Sequence, residues 1–163
     1  MSIRNIAVLA AGVGAALSLA STAQAADFVT VALETTVDRP ADVAWSKISG
    51  YCDIGAWLKT TCVITSGKDN EVGAVRRIAG RIDELLVART AWSYSYSQPK
   101  SPIDYHGTVE IRPVDKGHSK LLYTLVYDAE PLATPEAKAA DKERRAKQFT
   151  GVLATMKGIA EAK

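Results

Sequence analysis

Cysteine and histidine are scarce in this sequence, with two of each among 163 residues. Cys52 and Cys62 stand apart from His106 and His118, so the spacing of a metal site is missing and no metal is expected. There is also no Gly-x-Ser-x-Gly elbow and no glycine-rich phosphate loop, and no cofactor is expected. Neither sign of charge dominates, with 20 Lys and Arg against 18 Asp and Glu, which argues against a nucleic-acid partner held by phosphate neutralisation.

Long apolar runs are almost absent as well. Ile6 to Leu19 is unbroken by charge, follows Arg4 and precedes Ala23-Gln24-Ala25, the small-x-small pattern of a signal peptidase site. About 14 apolar residues fall short of the roughly 20 needed to span a bilayer. The expectation is a leader over 1–25 cleaved after Ala25, a periplasmic or secreted protein, and no transmembrane segment after processing. The remainder, 26–163, has the size of one domain.

In an oxidising compartment, two closely spaced cysteines favour a Cys52–Cys62 disulfide. Closing a loop of about ten residues is worth roughly 3 kcal/mol in the chain-entropy model. Two buried thiols or a reactive cysteine are the alternatives.

What the chain does have is alternation. Trp92-Ser93-Tyr94-Ser95-Tyr96 places three aromatics on one strand face and small hydroxyls on the other. Tyr105, Tyr123 and Tyr127 fall on later alternating segments, so five of the six tyrosines could line one concave sheet face. Strands are predicted over 28–37, 62–64, 73–79, 82–87, 91–97, 103–112 and 120–127. A helix is expected after the first strand, with Pro40 in its first turn and Val43, Ala44, Trp45 and Ile48 as its apolar stripe. A second short helix is expected over 53–58.

Thr134-Pro135-Glu136 reads as an N-cap, a first-turn proline and an acid at the positive dipole end. The following long helix carries Phe149, Val152, Leu153, Met156, Ile159 and Ala160 on one stripe. That stripe needs a partner, and the ring-bearing sheet face supplies one. The fold class is therefore α+β, a seven-stranded antiparallel sheet wrapped around a long C-terminal helix. A lipocalin barrel accommodates the two early helices and the helical C-terminal segment poorly. The basic run Lys142 to Lys147 reads as the solvated face of that helix.

This order of elements resembles the helix-grip layout of the START-like (SRPBCC) superfamily, which includes polyketide cyclases and birch-pollen-allergen-like proteins. The likeness runs over about 28–160. Its carriers are Pro40-Ala41-Asp42-Val43-Ala44-Trp45, Trp57, Gly73-Ala74-Val75-Arg76, the Tyr94 strand and Ser119-x-Leu121-x-Tyr123. The resemblance implies a small hydrophobic molecule held between sheet and helix as the partner. It also points to Arg76, at the Gly-x-Val-Arg position, and to Lys59, near where plant receptors of this superfamily anchor a ligand.

Alternation supplies the other candidate lining residues: Trp92, Tyr94, Tyr96, Tyr105, Val109, Tyr123 and Tyr127 from the sheet, Phe149, Leu153 and Met156 from the helix. Each could equally be ordinary core. A buried Arg76 would need a carboxylate partner, since an unpaired buried charge is expensive, but periodicity allows either Arg76 or Arg77 to point inward. His106, with Asp104 and Glu110, is expected on the outer face. Three functions fit: a carrier for an apolar molecule, a cyclase- or dehydratase-type enzyme with an acid or base beside its ligand, and an interaction protein with a filled core.

Overall fold

The computed structural model describes residues 27–163. The expected leader and its cleavage point lie outside the described residues. Seven strands form one antiparallel sheet: β1 (Phe28–Val37), β2 (Cys62–Ser66), β3 (Val75–Ile78), β4 (Ile82–Arg89), β5 (Ser93–Ser97), β6 (His106–Pro113) and β7 (Ser119–Asp128). Their order is β1-β7-β6-β5-β4-β3-β2, so β1 and β2 are the edges. Between β1 and β2 the chain forms α1 (Ala41–Ser46), a 3-10 turn over Tyr51–Asp53 and α2 (Ile54–Leu58). The last element is α3 (Pro135–Glu161), 27 residues and about 40 Å long.

Local chemistry fixes these boundaries. The Thr134 hydroxyl accepts the Ala137 N–H at 3.1 Å and Pro135 follows in the first turn, so α3 begins at the expected cap. Pro40 is a correction: it occupies the N-cap position of α1 in extended backbone instead of the first helical turn. In the α1 stripe Ala44, Trp45 and Ile48 are buried, but Val43 faces solvent, and Ala41 takes its place inside. The strand expected over 103–112 starts three residues later, because Asp104 adopts φ 43° and breaks the extended backbone before His106.

The pleat puts one face of the sheet inside. In β7 every second residue is buried, so Leu121, Tyr123, Leu125 and Tyr127 form an inward row, continued across β6 by Val109 and Ile111. The stripe of α3, Phe149, Val152, Leu153, Met156 and Ala160, lies on that row. Ile159 is half-buried at its edge. The ends of α3 are tied to β1: the Glu161 carboxylate accepts the Asp38 N–H at 2.7 Å, and Lys138 pairs with Asp27 at 2.6 Å.

Cys52 and Cys62 are bonded, with Cα atoms 5.5 Å apart, and they join the 3-10 turn to the start of β2. Lys59 ends α2 in the left-handed conformation, φ 52°, and its side chain is exposed. The disulfide therefore clamps a helix-to-strand corner beside the sheet's β2 edge.

Candidate functional site

The short β3–β4 hairpin settles which arginine points inward. Ala79 and Gly80 turn the chain with φ 50° and 70°, pairing Arg76 with Glu84 and Arg77 with Asp83. The pleat then sends the two pairs to opposite faces. Arg77 Nε donates to Asp83 at 2.6 Å on the outer face, where Lys100 also reaches Asp83 at 2.9 Å. Arg76, 0% exposed, donates from Nε and Nη2 to Glu84 Oε2 at 2.8 and 2.5 Å, and from Nη1 to the Tyr51 carbonyl.

A buried guanidinium thus has its carboxylate, and that carboxylate belongs to the chain itself. The other Glu84 oxygen accepts from Gln98 Nε2 at 2.9 Å. Tyr51 and Tyr96 rings lie 4.1 and 4.8 Å from the Arg76 guanidinium carbon, which adds cation–π attraction in a desolvated setting. Burial works against the Arg76 charge, but the Tyr94 phenol and the Glu84 carboxylate outweigh it, so Arg76 stays above the ordinary guanidinium range.

Beside this pair lies a cavity of about 340 Å³ between the inner sheet face, α2 and α3. Its apolar wall includes Ile54, Leu58, Ile78, Ile103 and Phe149, and three tyrosines complete it: Tyr96, Tyr105 and Tyr123. Tyr96 and Tyr123 share a hydrogen bond between hydroxyls at 2.7 Å. Burial pushes both phenols well above their usual range, and burial pushes Tyr94 up to about 12, so all three stay neutral at physiological pH. Glu84, Gln98, Arg145 and Gln148 contribute the polar part of the lining. Gln98 and Arg145 are half-buried and Gln148 is exposed, so these three stand where the cavity meets solvent.

Four of the sequence-selected residues line this space: Tyr96, Tyr105, Tyr123 and Phe149. Tyr94, Val109, Tyr127, Leu153 and Met156 are fully or almost fully buried but lie away from the cavity, packed in the core. Arg76 sits behind Glu84. Trp92 is a correction, because it precedes β5 in the β4–β5 connection and is 38% exposed, outside the row of Tyr94 and Tyr96. Lys59 is exposed and does not line the cavity. His106 lies half-buried on the outer face, as alternation predicts, and bonds Asp104 at 3.0 Å.

The four polar residues of the lining, Glu84, Gln98, Arg145 and Gln148, are not among those the sequence selects. Glu84 shares its strand face with Ile82 and Leu86, and an acid on an apolar face opposite an arginine across a short hairpin was a legible signal. The basic run Lys142 to Lys147 predicts a solvated Arg145. Its guanidinium instead lies 4.2 Å over the Tyr127 ring and donates to Asp141 at 2.6 Å. Among the described residues there is no cluster of three or more His, Cys, Asp or Glu placed to hold a metal. No helix among them is long and apolar enough to cross a membrane.

Comparison with solved structures agrees with this architecture. A protein from Nitrosospira multiformis superposes with TM-score 0.66 at 22% identity, covering 80% of this chain and 94% of that one. The Zhui aromatase/cyclase from Streptomyces sp. R1128 gives TM-score 0.66 at 19% identity, with 82% and 94% covered. A Thermobifida fusca protein gives 0.64 at 20% identity, with 78% and 90% covered. At these identities the likeness shows the helix-grip fold alone. No curated protein matches the sequence. The family model described as polyketide cyclase / dehydrase and lipid transport matches residues 29–161, nearly the whole of the described fold, and the chain belongs to that family within the START-like superfamily.

Proposed function

We propose that this protein is an exported carrier that holds a small hydrophobic molecule between the sheet and α3. The observation that carries this reading is the cavity of about 340 Å³, walled by Tyr96, Tyr105, Tyr123, Phe149 and aliphatic side chains. Its volume falls within the range of ligand pockets, and its mix of apolar wall and few polar groups is the usual chemistry of one. The family description, which includes lipid transport, supports the same class of partner.

Carriage is favoured over a cyclase or dehydratase reaction by the state of the acidic and basic groups. Glu84 lines the cavity, yet both its oxygens are engaged by Arg76 and Gln98, so proton transfer to a ligand would first break a buried ion pair. His106 faces away from the cavity. Export is supported by the leader pattern over 1–25 and by the Cys52–Cys62 bond, which persists in an oxidising compartment.

The test is native mass spectrometry and Nile red titration of protein recovered from the exported fraction, with sequencing of its N-terminus. A start at Ala26, saturable dye uptake and a co-purifying small molecule released by organic solvent are expected. An intact Met1 on soluble cytoplasmic protein would remove the export reading. Absence of dye uptake and of any bound molecule would remove the carrier reading and favour a protein whose core merely packs.

A further inference from the structure

The cavity's wall holds two charged side chains, Glu84 and Arg145, and their surroundings differ. Glu84 is 2% exposed, one oxygen takes two Arg76 donors, the other takes Gln98, and the Arg76 charge cancels its own. Nothing about it calls for a ligand group. Arg145 spends Nε on Asp141 and lies against the Tyr127 hydroxyl, and the rest of its fork of donors has no second carboxylate among the described residues. Asp141 is itself shared, because Arg144 donates to its other oxygen. Two guanidinium groups on one carboxylate leave a net positive charge at the place where the cavity opens.

Arg145 is also held in place. Its side chain is 18% exposed, and the Tyr127 and Tyr105 rings lie 4.2 and 5.6 Å from its guanidinium carbon. A flat guanidinium laid on a ring has lost most of its rotamer freedom before a ligand arrives, which lowers the entropic cost of using its free edge. Gln148 lies one turn further along α3, and Gln98 faces it from the sheet side of the same opening, so neutral donors accompany the positive charge. Apolar walls inside and an oriented, incompletely paired guanidinium at the mouth select an amphipathic molecule of one polarity.

We propose that the ligand is an apolar molecule bearing a carboxylate, its body against Tyr96, Tyr123 and Phe149 and its carboxylate at the mouth beside Arg145. This rests on the carrier reading and adds the headgroup to it. The volume of about 340 Å³ is near the lower end of ligand-sized pockets, so the body is a medium acyl chain or a small fused aromatic instead of a full-length lipid.

The experiment measures displacement of Nile red at neutral pH by decanoate, decanol, 2-naphthoate and 2-naphthalenemethanol, for wild type, Arg145→Gln and Gln148→Glu. Each acid should bind wild type at least about tenfold more tightly than its alcohol, the scale of one charge-assisted hydrogen bond. The decanoate and 2-naphthoate arms separate an acyl from an aromatic body. Arg145→Gln should abolish the preference for acid while leaving the alcohols bound. Gln148→Glu, an exposed substitution that leaves the packing of Arg145 intact, should reverse or erase it, and it decides the matter if Arg145→Gln fails to fold. Equal binding of acid and alcohol by wild type, or a preference that survives these substitutions, would overturn the headgroup assignment while the carrier reading stands. A wild-type protein that takes up neither dye, acid nor alcohol would overturn both.

Discussion

Tyr96 passes over Gly107 so closely that a Cβ at position 107 would stand 2.3 Å from Tyr96 Cζ. The two residues are cross-strand partners in β5 and β6, and the missing side chain on one lets the ring of the other lie along the sheet and reach Tyr123. The cavity wall is thus set by a glycine that never touches the empty space.

Gly107→Ala should force Tyr96 away from the sheet, break the Tyr96–Tyr123 hydrogen bond and destabilise the fold by about 1–3 kcal/mol, the usual cost of overpacking. Dye uptake should fall with it. Gly151→Ala is the control. Gly151 is exposed in mid-α3 with nothing near its absent Cβ, so alanine should stabilise by up to about 1 kcal/mol through helix propensity. Chemical denaturation of both variants checks the pair, and a Gly107→Ala protein as stable as wild type would show that Tyr96 can move freely.

Much of this arrangement was legible from alternation and caps. The inward rows of β6 and β7, the start of α3 at Thr134 and the buried stripe of that helix follow from periods of two and three to four residues. The cavity was less legible, because it depends on what fails to fill a space. Alternation assigns Tyr94 and Tyr96 the same face, yet Tyr94 packs against the Trp45 and Tyr51 rings while Tyr96 borders the void. Arg145 was hidden for a different reason. A side chain in a charged run is read as solvated, and its burial depends on Tyr127 and Tyr105, contributed by distant segments. Trp92 departs from the predicted strand because β4 runs on to Arg89 and the connection takes the residues up to Trp92.

The Arg76–Glu84 pair is buried on both sides, so the two partners should be energetically coupled. Arg76→Met leaves Glu84 an uncompensated buried acid, and Glu84→Met leaves Arg76 an uncompensated buried cation; each should cost about 3–5 kcal/mol. The double substitution Arg76→Met/Glu84→Met should recover much of that loss, since it removes both charges at once. Denaturant unfolding of the four proteins gives the coupling energy. Additive losses would mean that the two charges are solvated and act independently.

Glu161 gives the acid limb of stability a specific contribution. The Asp38 N–H, then Lys157, hold its carboxyl below the ordinary glutamate value of 4.5. A folded-state pKa below the unfolded one means stabilisation fully present above the unfolded value and lost as pH falls through the folded value. Glu161→Gln should therefore lower the melting temperature at neutral pH by the equivalent of about 0.5–1 kcal/mol, the scale of a partly exposed ion pair. The difference from wild type should shrink once the pH is brought below 4.5. A deficit that stays constant with pH would mean that the effect is one of shape at the β1–α3 junction and not of charge.

Tyr94 and Tyr123 are both 0% exposed and sit on the same sheet face, but Tyr123 borders the cavity and shares a hydrogen bond with Tyr96, whereas Tyr94 does neither. Tyr123→Trp gives up the Tyr96 hydrogen bond, about 1 kcal/mol, but has an adjoining void into which the larger ring can expand, so the fold should lose little more than that while saturable dye binding is lost. Tyr94→Trp has no such room. Wedged between the Trp45 and Tyr51 rings, it should cost about 1–3 kcal/mol of stability and leave the affinity of the folded fraction for dye nearly unchanged. Recording thermal unfolding and Nile red titration on the same samples separates the two effects. If Tyr123→Trp destabilises as much as Tyr94→Trp and binding is unaltered, the space beside Tyr123 closes in solution, and the ligand must be sought elsewhere on the fold.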